Sequence, residues 1–115
     1  MNWYKFDIST YQLETYGMPD AEDLAYRRLM DRYYQEEGPL INDADDLCAS
    51  IGLDWDCVAP VLLKFFLLNE ADQWVHPDWQ RDIERRHDRA IKASAAGKLG
   101  GRGNRRELRK PPESV

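Results

Sequence analysis

Long apolar runs are missing from this chain: no window of its 115 residues approaches the roughly 18 consecutive apolar residues of a membrane span. Its start, Met1-Asn2-Trp3-Tyr4-Lys5-Phe6-Asp7, lacks the basic opening and apolar stretch of a secretory signal. A soluble cytoplasmic protein without membrane contact is the expectation. Cysteine is scarce too. Cys48 and Cys57 stand nine residues apart, outside any metal-ligand spacing, which points to free thiols in a reducing compartment rather than a disulfide. The two histidines, His76 and His87, are eleven apart, and neither sits in a paired ligand motif.

Catalytic motifs are absent as well. No serine, cysteine or lysine stands in a recognisable nucleophile setting. Asp43, Asp45, Asp46, Asp54 and Asp56 cluster, but without the glycine and closing glutamate of a calcium loop; helix caps and a solvated face account for them. Gly97-Lys98-Leu99-Gly100-Gly101-Arg102-Gly103 is glycine-rich, yet its spacing is not that of a phosphate loop and no strand precedes it. The expectation is a non-enzymatic protein with no cofactor and no metal.

What is present is an uneven distribution of charge beneath a net −5. Residues 1–80 hold five Lys/Arg against sixteen Asp/Glu, a net −11, whereas residues 81–115 hold eleven against five, a net +6. An acidic body therefore carries a basic C-terminal stretch. Within the body, the alternation of Tyr4, Phe6 and Ile8 with Lys5 and Asp7 predicts a short first strand. Asp20 then caps a helix over about residues 21–37, with Ala21, Ala25, Tyr26, Leu29, Met30 and Tyr33 on one face and Gly38-Pro39 as its stop.

Asn42 or Asp43 caps a second helix in which Ala44, Leu47, Cys48 and Ile51 face inward, and Gly52 suits a left-handed end. A third helix follows over Val58–Phe66, capped by Asp54 or Asp56; Pro60 implies a kink or a late start, and the nearly all-apolar text implies burial. Phe66–Asn69 and Gln73–His76 read as two strands joined by Glu70-Ala71-Asp72, a turn without the usual glycine. Pro77-Asp78 caps a last helix with a narrow stripe through Trp79, Ile83 and Ala90. From Gly97 the text is too poor in apolar groups to order itself. The fold class expected is mostly α with a small β component: a winged helix, made of a helix-turn-helix and a hairpin wing, over residues 1–96, and a disordered basic Gly/Arg-rich tail over 97–115.

The residues also carry a resemblance. Trp3-Tyr4-Lys5, Ala25-Tyr26-Arg27-Arg28-Leu29-Met30-Asp31 with Tyr33-Tyr34, Gly38-Pro39-Leu40, Leu62–Phe66, and Ser94-Ala95-Ala96-Gly97-Lys98 with Gly100-Gly101-Arg102 follow one another over nearly the full length. In that order and spacing the chain resembles the YdaU-like prophage family of unknown function, related to N-terminal domains of phage replisome organisers. The resemblance implies a winged-helix fold and a place in phage DNA replication or its control.

Two functional classes follow. In a helix-turn-helix the second helix normally enters the major groove, but here the pair carries Asp43, Asp45, Asp46, Asp54 and Asp56 against Lys64 alone, which repels phosphate. DNA contact would fall instead to Lys98, Arg102, Arg105, Arg106, Arg109 and Lys110 on the tail, with Arg27 and Arg28 on the first helix; it would be salt-dependent and sequence-tolerant. The alternative for Arg27 and Arg28 is pairing with Glu22, Asp23 or Asp31, and for the last helix an ion-paired surface. The rival class is a protein-interaction module. In it the acidic face, with Trp55, Asp45, Asp46 and Asp56, meets a replication or other phage or host protein, or exposed aromatics support a homodimer.

Overall fold

The computed structural model describes the backbone of residues 3–101 and the side chains of residues 3–95. The chain divides into two units, one ending at Ile83 and one beginning at Glu84. The first contains α1 (Ile8–Thr15), α2 (Asp20–Glu36), β1 (Leu40–Ile41), α3 (Ala44–Ile51), α4 (Trp55–Phe65), β2 (Leu67–Leu68), β3 (Gln73–Val75) and the opening turns of α5 (Pro77–Gly101). The three strands form one antiparallel sheet in the order β1-β3-β2. Mostly helical with a small sheet is the class expected from sequence. Among the described residues no helix is long and apolar enough to cross a membrane.

α2 organises the core. Ala25, Tyr26, Leu29, Met30, Tyr33 and Tyr34 repeat at helical spacing and are all buried, packed chiefly against Val58, Val61 and Leu62 of α4. Ala21, expected on that face, is exposed. Pro19 is the cap residue and Asp20 lies in the first turn beside Glu22 and Asp23, where carboxylates favour the positive end of the helix dipole. The left-handed residue at the far end is Glu37 (φ 58°), one position before the expected glycine, and its N–H reaches Tyr34 O.

The expected first strand does not form. Residues 3–7 have no regular structure, and Ile8, assigned to the strand, starts α1, whose cap is the Asp7 carboxylate accepting from Thr10 N at 3.1 Å. Those capping bonds hold the Asp7 carboxyl below its ordinary range. Tyr4 and Phe6 still bury alternately, but through rings: Tyr4 stacks on Tyr34 at 4.2 Å between centroids and Phe6 meets Tyr11 at 5.3 Å. The third strand of the sheet is instead β1, pairing Leu40 with Trp74 and Ile41 with Gln73.

The hairpin and α3 match expectation more closely. Leu67 pairs with Val75 and Leu68 with Trp74. The missing turn glycine is replaced by Asp72 (φ 58°), while the Asn69 carboxamide accepts from Ala71 N and Gln73 N, both at 2.9 Å. Asn42 ties β1 to this turn, accepting from Trp74 Nε1 at 2.9 Å and donating to Asp72 at 3.0 Å. Asp43 caps α3 by accepting from Asp46 N at 3.1 Å, and Gly52 (φ 71°) ends it. Leu47 and Ile51 are buried and Cys48 half-buried, but Ala44 in the first turn is exposed.

α5 is capped by His76 rather than by Pro77-Asp78: its Nδ1 accepts from Trp79 N at 3.3 Å, and Gln80 N reaches His76 O at 2.9 Å. Trp79 and Ile83 complete the core of the first unit. In the second unit the helix continues to Gly101, so the division expected at residue 97 falls inside it. Ser94, Ala95 and Ala96 are compatible with a helix, and glycine costs about 1 kcal/mol relative to alanine rather than forbidding one. The tail residues Arg102, Arg105, Arg106, Arg109 and Lys110, and the side chain of Lys98, lie outside what the structure describes.

Candidate protein-docking face

The best-defined surface feature grows from the turn between α3 and α4. Gly52 N and Leu53 N both bond to Cys48 O, closing α3, and the Arg28 guanidinium reaches across from α2 to donate to Ile51 O at 2.7 Å. Four carbonyls at a helix C-terminus lack intrahelical partners, and Arg28 satisfies one of them. After Leu53, Asp54 O accepts from Cys57 N and Val58 N, so α4 begins at Trp55. The late start expected from Pro60 is not seen; Pro60 sits in the second turn with its ring exposed.

A helix nearly all apolar was expected to be buried throughout. Instead α4 has two faces. Val58, Val61 and Leu62 enter the core, with Phe65 half-buried beside them. At 100° per residue, Trp55, Ala59 and Leu63 fall on a flank about 110° round from the centre of that buried face, between it and Asp56, Pro60 and Lys64. Trp55 is 40% exposed and Leu63 78%, and the exposure continues into β2 with Leu67 at 65% and Leu68 at 48%. Lys64 lies 5.3 Å from the Phe65 ring centroid. Sequence reasoning singled out Trp55 but missed the three leucines. The signal was there: an all-round apolar helix in a small domain must either be central or present a second apolar face.

The acidic residues named from sequence do not gather on this face: Asp46 lines a cleft with residues of α2 and β1. Asp56 is exposed beside Trp55, and Asp45 and Asp46 are exposed on the first turn of α3. Burial and the nearby Asp54 and Asp45 charges raise the Cys48 thiol, which makes it a poor nucleophile. Cys48 and Cys57 are both free. Among the described residues no group of three His, Cys, Asp or Glu is placed to hold a metal ion. A cleft of about 230 Å³ lies where α2, β1 and α3 meet, and its polar lining includes Arg32, held to Glu36 at 3.3 Å, together with Asp46 and Gln73.

The two arginines expected on a DNA surface, Arg27 half-buried and Arg28 exposed, both have partners within the fold. Arg27 donates to Tyr4 Oη at 2.8 Å, pairs with Asp31, and lies 4.5 Å over the Phe6 ring, so it clamps the N-terminal segment to α2. Asp31 is one of the partners weighed for it from sequence. Partial burial, then the Asp31 carboxylate, push the Tyr4 phenol above its ordinary range against the opposing effect of Arg27. Arg28 is the cap of α3 described above. In the second unit, Arg85, Arg89 and Lys92 are exposed on α5, and Lys92 pairs with Asp88 at 3.2 Å.

One buried polar chain crosses the core. Because His76 Nδ1 accepts from Trp79 N, its neutral ring carries the proton on Nε2, which faces Tyr26 Oη at 3.1 Å. Tyr26 in turn donates to Glu14 at 2.7 Å, linking α1, α2 and the start of α5. Burial is the main reason the His76 pKa is lowered to about 4. Burial, then the Glu14 bond, raises that of Tyr26. Tyr26 and His76 are enclosed, Glu14 is half-buried and each is hydrogen-bonded, which marks this as internal bracing.

No curated protein and no solved structure matches the chain. A family model described as a protein of unknown function, DUF1376, matches residues 2–84, a span that takes in α1 to the start of α5 and the whole of the α4 face, and the chain belongs to that family.

Proposed function

We propose that the chain is a non-enzymatic winged-helix accessory protein that docks another protein through the outward face of α4, in the setting of phage DNA replication or its control. The order α2-β1-α3-α4-β2-β3, with β1 joined to the hairpin, supports the winged-helix reading: helix, strand, helix-turn-helix, wing. In a groove-reading domain α4 would present Arg, Lys, Asn or Gln to base edges. The single observation that carries the docking reading is that it presents Trp55, Leu63 and, just beyond it, Leu67 instead. Exposed contiguous apolar side chains rimmed by polar ones are the mark of an interaction surface.

A photo-crosslinking amino acid in place of Leu63, expressed in cells that naturally encode the protein, tests this. One discrete protein adduct is expected, and none when the same group replaces Leu13, which is 80% exposed on α1. No adduct at 63, or the same adduct at 13, would sink the reading.

A second reading, nucleic-acid binding by the C-terminal part, is favoured by Arg85, Arg89 and Lys92 exposed at i, i+4, i+7 on α5, followed in sequence by Lys98, Arg102, Arg105, Arg106, Arg109 and Lys110. Capture would be by phosphate contacts, so anisotropy with labelled DNA should show affinity falling steeply with salt and lost in a chain ending at Gly97. Equal binding by both forms at low salt removes the tail from the reading, and binding by neither removes the reading.

A further inference from the structure

The chemistry of α5 narrows the form of nucleic acid, on the footing of the second reading above. In the second unit Arg85, Arg89 and Lys92 fall within about 60° of one another around the helix and rise about 10 Å along it. All three are exposed, and because they stand on a helix they form a straight row of fixed spacing. Glu84 and Asp88 lie along one border of the row and Arg86 along the other; over residues 84–95 the bases outnumber the acids four to two. Asp88 pairs with Lys92 at 3.2 Å, but both side chains are well exposed, and so weak a pair yields its place to a phosphate.

Aromatic composition supplies the rest. Proteins that hold single strands combine backbone charge with rings on which successive bases stack. Residues 80–115 contain no Phe, Tyr or Trp. The exposed rings Trp3, Tyr16 and Trp55 belong to residues 1–80, whose net −11 repels a polyanion. A duplex asks for no ring: its bases are already stacked and paired, it is stiff over the length of such a row, and it presents one phosphate charge about every 1.7 Å of its axis. An anionic bilayer fits less well, because between residues 84 and 95 the one large apolar side chain is Ile91, too little to hold a helix in a membrane interface. We propose that α5 binds double-stranded DNA in preference to single strands, with Arg85, Arg89 and Lys92 as a rigid row of phosphate contacts to which the bases from Lys98 to Lys110 add. Recognition is of backbone charge density, without base readout.

Anisotropy of the full chain with two fluorescein-labelled probes tests this: a DNA duplex of about 20 base pairs and an unpaired strand of about 40 nucleotides, which carries nearly the same number of phosphates. The duplex should bind at least about fivefold more tightly at low salt. Arg85→Ala, Arg89→Ala and Lys92→Ala together should weaken duplex binding about tenfold or more, and should make the slope of log affinity against log salt shallower by about 2 to 3, close to one counterion for each lost contact. Alanine favours helix, so circular dichroism should report a helix content no lower than that of the parent. A strand bound as tightly as the duplex overturns the proposal and leaves the second reading standing. An unchanged slope in the triple variant also overturns it, leaving the residues beyond α5 as the binding element. Binding of neither probe by the full chain ends both the proposal and the reading.

Discussion

Tyr26→Ala is expected to destabilise the chain by about 4 kcal/mol, within the range for deleting a fully enclosed aromatic side chain. Tyr26 has no exposed surface and its ring lies 4.3 Å from that of Phe65, 5.2 Å from Trp79 and 6.2 Å from Tyr11, so its removal opens a cavity bordered by four helices. For a folded unit of this size each kcal/mol moves the melting temperature by about 4–8 °C, which puts the drop near 20 °C. Tyr26→Phe separates the hydroxyl from the ring. It keeps the packing but leaves His76 Nε2–H and the Glu14 carboxylate without their partner, at a cost of about 1–3 kcal/mol. Urea unfolding of the three proteins measures both terms. A Tyr26→Phe variant as stable as the parent would show that the buried polar chain contributes specificity of packing and no net stability.

The same residue shows what was legible in the text. Ala25-Tyr26 and their successors at helical spacing announced α2 and its buried face, because a periodic stripe on a 17-residue helix is a long signal. Capping chemistry placed α3 equally well, since Asp43 and Gly52 act through bonds within a few residues of themselves. Tyr4, Phe6 and Ile8 misled because alternate burial does not require a strand. An extended segment that lays two rings on α2 and α1 gives the same pattern with no ladder, and β1, which does pair, is only two residues long and too short to show a period. α1 was hidden for the opposite reason: Ile8 and Leu13 are exposed, so the helix has no apolar stripe, and its Asp7 cap was read as the polar half of a strand alternation.

The proposed docking surface was half legible. The acidic character of α3 and α4 and the presence of Trp55 could be read directly, and they argued against groove insertion before any geometry was known. The leucines could not be sorted by composition. Which of Leu62 and Leu63 is enclosed depends on α4 lying against α2, a tertiary fact that sets the helix rotation. Arg27 and Arg28 were ambiguous for a similar reason. Adjacent residues on a helix point about 100° apart, so one turns to Tyr4 and Asp31 while the other turns to the end of α3.

Acid should weaken this fold well before its carboxylates are protonated, through His76. The ring is 3% exposed, stacks on Trp79 at 3.6 Å between centroids, and uses Nδ1 as an acceptor for the first turn of α5. Protonation would place an N–H opposite the Trp79 N–H, donor against donor, in a buried site; burial disfavours the cation, the nearby Asp78 charge favours it, and burial with the smaller opposition of Arg81 outweighs Asp78. The folded chain therefore takes up this proton only near pH 4, while the unfolded chain takes it up near pH 6.5. Between those values the unfolded state holds more protons, so stability falls as pH falls. The stability is complete above pH 6.5 and is lost progressively below it, the loss amounting to about 3 kcal/mol once pH 4 is reached. His76→Asn supplies a side chain that caps helices well and does not titrate. It should lower stability at pH 7, because the stack on Trp79 is gone, and yet flatten the decline between pH 6.5 and 4. Urea midpoints for both proteins at four pH values in that window decide the matter, and parallel curves would assign the acid sensitivity to other groups.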